Sequence, residues 1–368
     1  MDKHKEFGAF VTDLIQKKDL TREQSYDAFS ILFNNETSDL QQGAFLAGLV
    51  AKGESEDEVA GCWEAIYQND TIKVDLGDSI VAVDNCGTGM DTFKTFNVST
   101  AASIVAASGG VSMARHGARA ITSVCGTVDI AEALGVDVEC CSSIVTDSIK
   151  KSNLGLFNGM SPEIHPAALG RILSQIHFGT TLNISASLAN PALPKVGVRG
   201  VYKKELLVPV LKVMKEIGYT DAITLYGSIK DSEFGMDEAS VSGITYGAEL
   251  LPSGEIKEFA ISSSDLGLGS YDAEQCSPLK NIDDEVLAFL KPFVSSEKGA
   301  RTDMIILNAA FVLKVAGKAE NVEVGIEMAG SLLSSGEALQ TLKNWVATQS
   351  RNPEEGSAKL DSLLKRVN

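Results

Sequence analysis

The sequence predicts an α/β protein in which a mainly parallel sheet is flanked by helices and preceded by a small all-helical N-terminal domain. Three observations support this prediction. No strand pattern occurs before about residue 78. Beyond that point short apolar runs alternate with helical segments, as in βαβ units built around a parallel sheet. Two strand-like runs on either side of a Pro-Ser-Gly-Glu turn at residues 252–255 predict an antiparallel hairpin near a sheet edge.

The N-terminal segment has the periodicity of amphipathic helices. Apolar residues recur at the spacing of a single helical face: Phe7, Phe10, Val11, Leu14 and Ile15. Thr21 followed by Gln24 has the spacing of a capping box, which predicts the start of a second helix. Ser55 followed by Glu58 predicts the start of a further helix in the same way. Between them, residues 40–51 form a small-residue apolar segment that is suited to close helix packing.

The α/β region begins with the apolar run 80–83, which predicts the first strand. Further strands are predicted at 111–114, 136–140 and 222–226, and helices at 99–108 and 128–134. The predicted hairpin joins 244–250 to 256–261. The C-terminal part is predicted to be helical over 304–316, over 322–335 and again from residue 338.

Charge and composition exclude several classes of partner. The chain has 32 basic and 49 acidic residues and a formal net charge of −17, so a polyanion such as nucleic acid would meet a like-charged surface. The sequence contains no apolar run long enough to cross a bilayer and no signal-peptide pattern at its N-terminus. The six cysteines lack CxxC spacing. We therefore expect a cytoplasmic protein with reduced thiols and no nucleic-acid or membrane partner.

The most informative segment is residues 84–91 (DNCGTGMD), called the glycine loop below. It follows the first predicted strand, and glycine allows the backbone to approach a ligand closely. The next predicted helix begins within residues 95–100 (TFNVST), whose polar side chains and free N–H groups suit an anion. An ordinary strand–turn–helix with good capping is the alternative interpretation. Loop and helix start together favour a phosphate-binding site.

Two further clusters follow predicted strands. Residues 115–119 (RHGAR) come after the strand 111–114, where ligands bind in α/β sheets, and a basic cluster in so acidic a chain favours an anionic ligand. Gly126, Thr127 and Asp129 begin another helix. Asp237 and Glu238, called the acid pair below, follow the strand ending near residue 226. Adjacent carboxylates are usually surface charge, but beside a polyphosphate site they suit Mg²⁺.

These motifs (GTGxD, TFNxST, (K/R)HGxR, HPA at 165–167 and a late DE pair), in this order, resemble the anthranilate phosphoribosyltransferase family over nearly the whole chain. The resemblance implies a nucleoside phosphorylase-like fold and a homodimer joined through its helices. It implies a helical domain at 1–76, completed by helices from about 160 to 190, and an α/β phosphoribosyltransferase domain at 77–368. The implied reaction moves a 5-phosphoribosyl group from phosphoribosyl diphosphate to an aromatic nitrogen, with Mg²⁺ as cofactor.

The resemblance also implies the roles of individual residues. The donor-binding set is Gly87, Thr88, Gly89, Asp91, Thr95, Asn97, Ser99, Thr100, Arg115 and Thr127. Ser99, Asp237 and Glu238 would hold the metal. His116 is the candidate catalytic residue, because it is the titratable group nearest to the expected reaction centre. The expected acceptor pocket consists of His116, Gly117, Ala118, His165, Leu169 and Gln175.

The acceptor half departs from the family pattern. The family has asparagine where this chain has Ala118, a carboxylate-binding arginine at Gln175, and often tyrosine at Leu169. Met90 also replaces a glycine in the glycine loop. Loss of two polar anchors for the acceptor predicts an aromatic acceptor other than anthranilate. Three alternatives stay open: a genuine anthranilate phosphoribosyltransferase with a rebuilt carboxylate contact, a pyrimidine nucleoside phosphorylase, against which the acid pair argues, and a non-catalytic binding protein.

Overall fold

The computed structural model describes residues 2–119, 125–295 and 297–367. Its N-terminal part consists of α1 (Lys3–Ile15), α2 (Arg22–Phe33), α3 (Asp39–Lys52) and α4 (Glu56–Asn69). Both predicted capping boxes are confirmed: Thr21 begins α2 with Gln24, and Ser55 begins α4 with Glu58. The Glu58 carboxylate is fully buried and also accepts the Lys52 ammonium at 2.9 Å, so one side chain joins the ends of α3 and α4.

The remaining chain forms one eight-stranded sheet covered by helices, so the predicted fold class is confirmed. The strands are β1 (Ala82–Gly87), β2 (Ser112–Gly117), β3 (Leu154–Asn158), β4 (Val196–Gly200), β5 (Asp221–Ser228), β6 (Gly235–Met236), β7 (Ile244–Leu250) and β8 (Ile256–Ser262). Their order is β3-β2-β1-β4-β5-β7-β8, with β6 paired to β5. The first five strands are parallel, and the predicted hairpin is confirmed as the antiparallel pair β7–β8.

The helices of this part lie between and after the strands. They are α5 (Val98–Ser108), α6 (Thr127–Leu134), α7 (Ser142–Ser152), α8 (Leu169–Leu173), α9 (Thr181–Leu188), α10 (Leu207–Glu216), α11 (Ile282–Val294), α12 (Ala300–Val315), α13 (Val322–Ser334), α14 (Glu337–Thr348) and α15 (Pro353–Val367). None of the described helices combines the length and apolar character that crossing a bilayer requires.

The predicted strand at 136–140 was wrong. This segment is an irregular link between α6 and α7, and its alternating Val136, Val138 and Cys140 are buried by packing rather than by strand pairing. The third strand along the chain is instead β3, and the sequence analysis predicted neither β3 nor β4. The β4 segment contains two glycines and Arg199, so it lacks the β-branched, apolar run that normally marks a central parallel strand.

Two large apolar cores lie on different parts of the sheet. One packs α5, α12 and α14 against β1, β2 and β4. The other joins α1–α4 to α8, α9 and α10 and to parts of β5 and β7. Helices α8 and α9 therefore pack with the N-terminal helices although about a hundred residues separate them in the chain. The domain boundary at residue 76 stays a prediction, because this second core contains residues from both sides of it.

Candidate functional site

The glycine loop, the start of α5 and the acid pair surround one cavity of about 290 Å³. It lies at the carboxyl ends of β1 and β2, where an open α/β sheet places its ligands, and α8 and α9 form its opposite wall. The predicted site residues that line it are Gly87, Thr88, Gly89, Asp91, Thr95, Asn97, Ser99, His116, Gly117, Ala118, Thr127, Leu169, Asp237 and Glu238. Most of the predicted donor, metal and acceptor residues are thus brought together.

Four predicted residues do not line this cavity. Thr100 and Arg115 lie beneath its floor, His165 lies behind His116, and Gln175 is exposed in the turn after α8. Several lining residues were not predicted: Cys86 in the glycine loop, Lys94 after it, Met160 after β3, and Leu173, Leu182, Asn183, Ala186 and Ser187 on the opposite wall. On α9 the pairs 182/186 and 183/187 have helical i, i+4 spacing, which is the sequence signal that could have indicated a cavity-facing stripe.

Glycines at the loop make room for the acid pair. A Cβ atom on Gly87 would overlap the Asp237 carboxylate, and one on Gly200 would overlap the backbone of the same residue. Gly89 has φ +74°, a conformation that favours glycine, and its N–H donates to Asp237 Oδ2 at 2.7 Å. The loop therefore holds Asp237 directly at the cavity wall.

Three carboxylates share this end of the cavity, and all of them are buried: Asp91, Asp237 and Glu238. Burial, and then the charge of Asp91, raises the pKa of Asp237 to about 7. Burial and the charge of Asp237 raise the pKa of Glu238 well above its usual range. Lys94 pairs with Asp91 at 2.7 Å. Removing like charges from water in this way is costly unless a cation neutralises them.

The donor atoms of this cluster are hard oxygens. Among residues 2–119, 125–295 and 297–367, no three His, Cys, Asp or Glu side chains are arranged to hold a metal by themselves. Mg²⁺ commonly takes one or two carboxylates and completes its shell with water and substrate phosphate. The acid pair, with the Ser99 hydroxyl on the same cavity wall, therefore suits Mg²⁺ better than it suits a metal ion whose ligands must all come from the protein.

Arg115 supports the floor of the cavity from below. Its guanidinium is 1% exposed and donates to the Ser99 Oγ at 3.0 Å, the Thr100 Oγ1 at 2.6 Å and the backbone oxygen of Asn85 at 3.0 and 3.1 Å. It fixes the Ser99 hydroxyl and places a positive charge beneath the site. Direct donor contact by Arg115 and Thr100 stays a prediction, and this geometry favours an indirect role.

The start of α5 lies at the cavity wall. Its N-cap, Asn97, makes no side-chain cap; its amide instead donates to the backbone oxygen of Cys125 at 3.3 Å. Within the first turn the N–H of Val98 donates to the backbone oxygen of Phe96 at 2.6 Å, and the N–H of Ser99 supports the charged form of Glu238, so α5 offers a ligand chiefly the positive end of its dipole. At the start of α6, Asp129 Oδ2 accepts the N–H of Gly126 at 2.9 Å.

His116 and His165 form a buried pair whose tautomers follow from their partners. His165 Nδ1 lies 2.7 Å from the backbone oxygen of Asp70, so Nδ1 must be the donor. In neutral His165, Nε2 then has no proton and acts as an acceptor. His116 Nε2 lies 3.1 Å away and must therefore carry the proton of this hydrogen bond. His116 Nδ1 is therefore a lone-pair acceptor, buried and without a hydrogen-bond partner among the described residues. Burial lowers the pKa of His116 well below 6.5, with the neighbouring imidazole a further cause, so the neutral form is favoured.

The acceptor half of the cavity is mostly apolar. Leucine, methionine and alanine side chains form it: Ala118, Met160, Leu169, Leu173, Leu182 and Ala186. Arg119 lines the same region, but carboxylates of Asp129, Glu132 and Glu139 hold its guanidinium at 3.2, 2.7 and 3.0 Å. The cation nearest to the acceptor half is therefore already neutralised.

Comparison with known proteins shows the family of the chain. The model of the glycosyl transferase family, a/b domain, matches residues 79–339, and that of the helical bundle domain of the same family matches residues 9–69. Anthranilate phosphoribosyltransferase from Persephonella marina is 32% identical over 336 residues, 91% of this chain and 96% of the relative. The enzyme from Clostridium kluyveri is 33% identical over 334 residues, 89% of this chain and 95% of the relative.

Solved structures show the same relationship. Anthranilate phosphoribosyltransferase from Thermus thermophilus superposes with a TM-score of 0.80 at 27% identity, over 95% of this chain and 99% of that one. The Saccharomyces cerevisiae enzyme, solved in complex with PRPP and Mg, shares the fold with a TM-score of 0.81 at 23% identity, over 94% and 98% of the two chains. Fold, cavity and sequence agree: the chain is an enzyme of the phosphoribosyltransferase class and belongs to the anthranilate phosphoribosyltransferase family.

Proposed function

We propose that this enzyme transfers the 5-phosphoribosyl group of phosphoribosyl diphosphate to the amino nitrogen of anthranilate, with Mg²⁺ as cofactor. The observation that carries the proposal is the division of one cavity into two unlike halves. One half has the glycine loop, the start of α5 and the acid pair, and the other is mostly apolar with the neutral His116 at its edge. A charged diphosphate and a flat aromatic amine are the ligands that such halves would bind.

The relatives support anthranilate as the acceptor. Relatives that align with about nine-tenths of this chain are anthranilate phosphoribosyltransferases. Anthranilate itself, which the sequence left open as an alternative acceptor, therefore has better support than a different aromatic acceptor, which the sequence favoured. The replacements at residues 118, 169 and 175 then mean that the ring is held by apolar contact more than by polar anchors.

The donor half binds the diphosphate beside the positive end of the α5 dipole. Thr95, Asn97 and Thr127 on the cavity wall are placed to meet phosphate oxygens. The acid pair and Ser99 would hold Mg²⁺, which stabilises negative charge on the diphosphate as it leaves. These groups fix the ribose C1 in one orientation, and that positioning is itself a large part of catalysis.

The acceptor half orients the nitrogen that attacks C1. The C1–N bond forms as the bond from C1 to the diphosphate oxygen breaks, and the amine gives up one proton, which the departing diphosphate accepts. Neutral His116, held by His165, shapes the wall against which the amino nitrogen faces C1. His165 would act through His116 by fixing its tautomer.

A second candidate function is transfer to an aromatic amine that has no carboxylate. The observation in its favour is the acceptor half itself: Ala118 and Leu169 are apolar, Gln175 lies outside the cavity, and Arg119 is paired with three carboxylates. A carboxylate in this half would gain little from a cation that is already neutralised.

Two measurements test the proposal. Isothermal titration with phosphoribosyl diphosphate should show binding that requires Mg²⁺ and is lost in Asp237→Ala/Glu238→Ala; absence of binding in the unmodified enzyme would overturn the donor assignment. Consumption of anthranilate is then followed by its fluorescence, in competition with aniline as the amine lacking a carboxylate. Preference for anthranilate supports the first candidate, and preference for aniline supports the second.

We also propose that the chain forms a homodimer through its N-terminal helices. Ile15 at the end of α1 and Leu40 at the start of α3 are 73% and 87% exposed, the two largest exposed fractions among the large apolar side chains, and a partner chain would cover them. Light scattering after size-exclusion chromatography should give twice the 39.0 kDa chain mass. Ile15→Glu/Leu40→Glu should give the single-chain mass.

A further inference from the structure

A second cavity of about 420 Å³ adjoins the first and has no role in the proposed reaction. It lies between the turn that joins α3 to α4, the N-terminal end of α9, and α10. Its walls combine apolar side chains, including Val59, Val210 and the half-buried Tyr202, with polar and charged ones such as Glu54 and Lys203. A space of this size could admit a second aromatic ring if it were joined to the active site.

A shared wall separates the two cavities. In the glycine loop, Gly89 and Asp91 line the first cavity, whereas Met90 between them lines the second. On α9, Leu182 and its neighbours at 183, 186 and 187 line the first cavity, whereas Ile184 lines the second. The loop and the helix therefore each line both cavities, with different residues facing each one. A side chain that connects the loop to the helix closes the wall between the two cavities.

Met90 makes that junction. A Cβ atom placed on Gly179 would lie 2.9 Å from the Met90 sulfur and 3.2 Å from its Cε, so the thioether lies directly against the Gly179 backbone. Gly179 immediately precedes the N-cap of α9, Thr180. The other side of the loop is fixed to the sheet, because the N–H of Phe93 donates to the backbone oxygen of Gly235 at 3.1 Å. Met90 thus connects a loop anchored to the sheet with the start of the acceptor-side helix.

We propose that Met90 is a specificity-determining positioning residue that closes the wall between the two cavities and so restricts the acceptor to single-ring amines. The inference rests on the proposed function, since the acceptor must occupy the half of the site that α9 forms. A glycine at position 90, as in the family pattern, leaves no side chain to reach Gly179. The wall is therefore a property of this chain's own residue, and of the flexible thioether that fits it.

The test uses four variants and two acceptors. Met90→Gly should open the wall. It should raise kcat/KM for the two-ring amine 3-amino-2-naphthoate, relative to anthranilate, by about tenfold, the lower end of what one or two methylene-sized contacts contribute to selectivity. The KM for phosphoribosyl diphosphate should change less than the KM for anthranilate. Met90→Leu, which keeps a long apolar side chain, should retain the selectivity of the unmodified enzyme.

Gly179→Ala provides the matched control from the other side of the contact. The added methyl group should displace the Met90 side chain and shift selectivity in the same direction as Met90→Gly. In the double variant Met90→Gly/Gly179→Ala the methyl group enters vacated space, so part of the original selectivity should return. An unchanged acceptor ratio in all four active variants would overturn the proposal, and so would equal loss of kcat for both acceptors.

Hydrogen exchange separates this proposal from the proposed function. If the unmodified enzyme forms no product from either acceptor, the proposed function fails, and exchange of the amides at 181–184 decides whether the wall exists. Faster exchange in Met90→Gly, with partial recovery in the double variant, supports the contact between loop and helix. Equal exchange in all variants overturns it.

Discussion

Asp70 should hold the acceptor wall of the cavity in its folded conformation. This residue ends α4, is 1% exposed, and accepts the backbone N–H groups of Ala167, Ala168 and Leu169 at 2.5, 3.0 and 2.6 Å. Its carboxylate therefore caps the start of α8 from a different part of the chain. Its own backbone oxygen accepts from His165, so one residue holds both the cavity-lining Leu169 and the histidine pair.

The magnitude follows from the three bonds. A hydrogen bond to a charged group contributes about 1.5–3 kcal/mol, so three of them give about 4.5 kcal/mol at the lower end of that range. Asp70→Ala leaves three N–H donors without this acceptor. We expect the free energy of unfolding to fall by about 3–5 kcal/mol, which places this variant among severe single substitutions. Asp70→Asn keeps an acceptor of the same shape but loses the charge, and should lose about half as much.

The assay combines urea unfolding with steady-state kinetics. In Asp70→Asn, the milder variant, the KM for the acceptor should rise while Mg²⁺-dependent binding of phosphoribosyl diphosphate, measured by titration, is retained, because the donor half lies on the sheet side of the cavity. A loss of less than about 1 kcal/mol in Asp70→Ala, below the range for even one charged bond, would refute the capping argument. Equal weakening of donor and acceptor binding would refute its restriction to the acceptor wall.

Three further predictions concern the loop, a helix and the histidine pair. Gly87→Ala should weaken donor binding about tenfold or more in titration, because the methyl group displaces Asp237; unchanged affinity would contradict this. Gly43→Ala has open space around the new Cβ atom within α3 and should raise the free energy of unfolding by about 0.5–1 kcal/mol in urea; destabilisation would contradict it. Burial lowers the pKa values of His116 and His165 from 6.5. The unfolded chain therefore binds more protons below pH 6.5, and their stabilising contribution, complete above that pH, should be lost as the pH falls, by up to about 1.4 kcal/mol per pH unit for each histidine. Urea unfolding at pH 7.5 and 5.5 measures this dependence, which should be smaller in His165→Asn; an equal slope in the variant would contradict the assignment.

The residues that local motifs assign to the donor half lie close together in the structure. The glycine loop, the start of α5 and the acid pair each follow a strand, and parallel strands bring their carboxyl ends to one edge of the sheet, so the predicted residues meet there. Arg115 was the exception. Its place in a basic cluster predicted contact with an anion, yet its side chain points beneath the floor and is fully used by protein oxygens. Spacing along a strand does not reveal which oxygens a buried guanidinium will reach.

The acceptor half could not be predicted in the same detail, because its order comes from pairs that are distant in sequence. Asp70 meets the start of α8 almost a hundred residues later, and His116 meets His165 forty-nine residues later. Neither Asp70 nor Gly179 stands in a recognisable motif. The missed strand β4 has the same cause: its position at the centre of the sheet compensates for two glycines and an arginine that weaken its strand pattern.

The packing of α8 and α9 with α1–α4 has a consequence for synthesis of the chain. The N-terminal helices emerge from the ribosome first, but the residues that complete their core, among them Leu182 and Leu188, are made more than a hundred residues later. At about 5–20 residues per second, the apolar faces of these helices stay uncovered for several seconds or longer. During that interval they depend on chaperones or on one another for cover. A fragment ending near residue 76 should therefore aggregate more readily than the full chain, because it lacks Leu182 and Leu188.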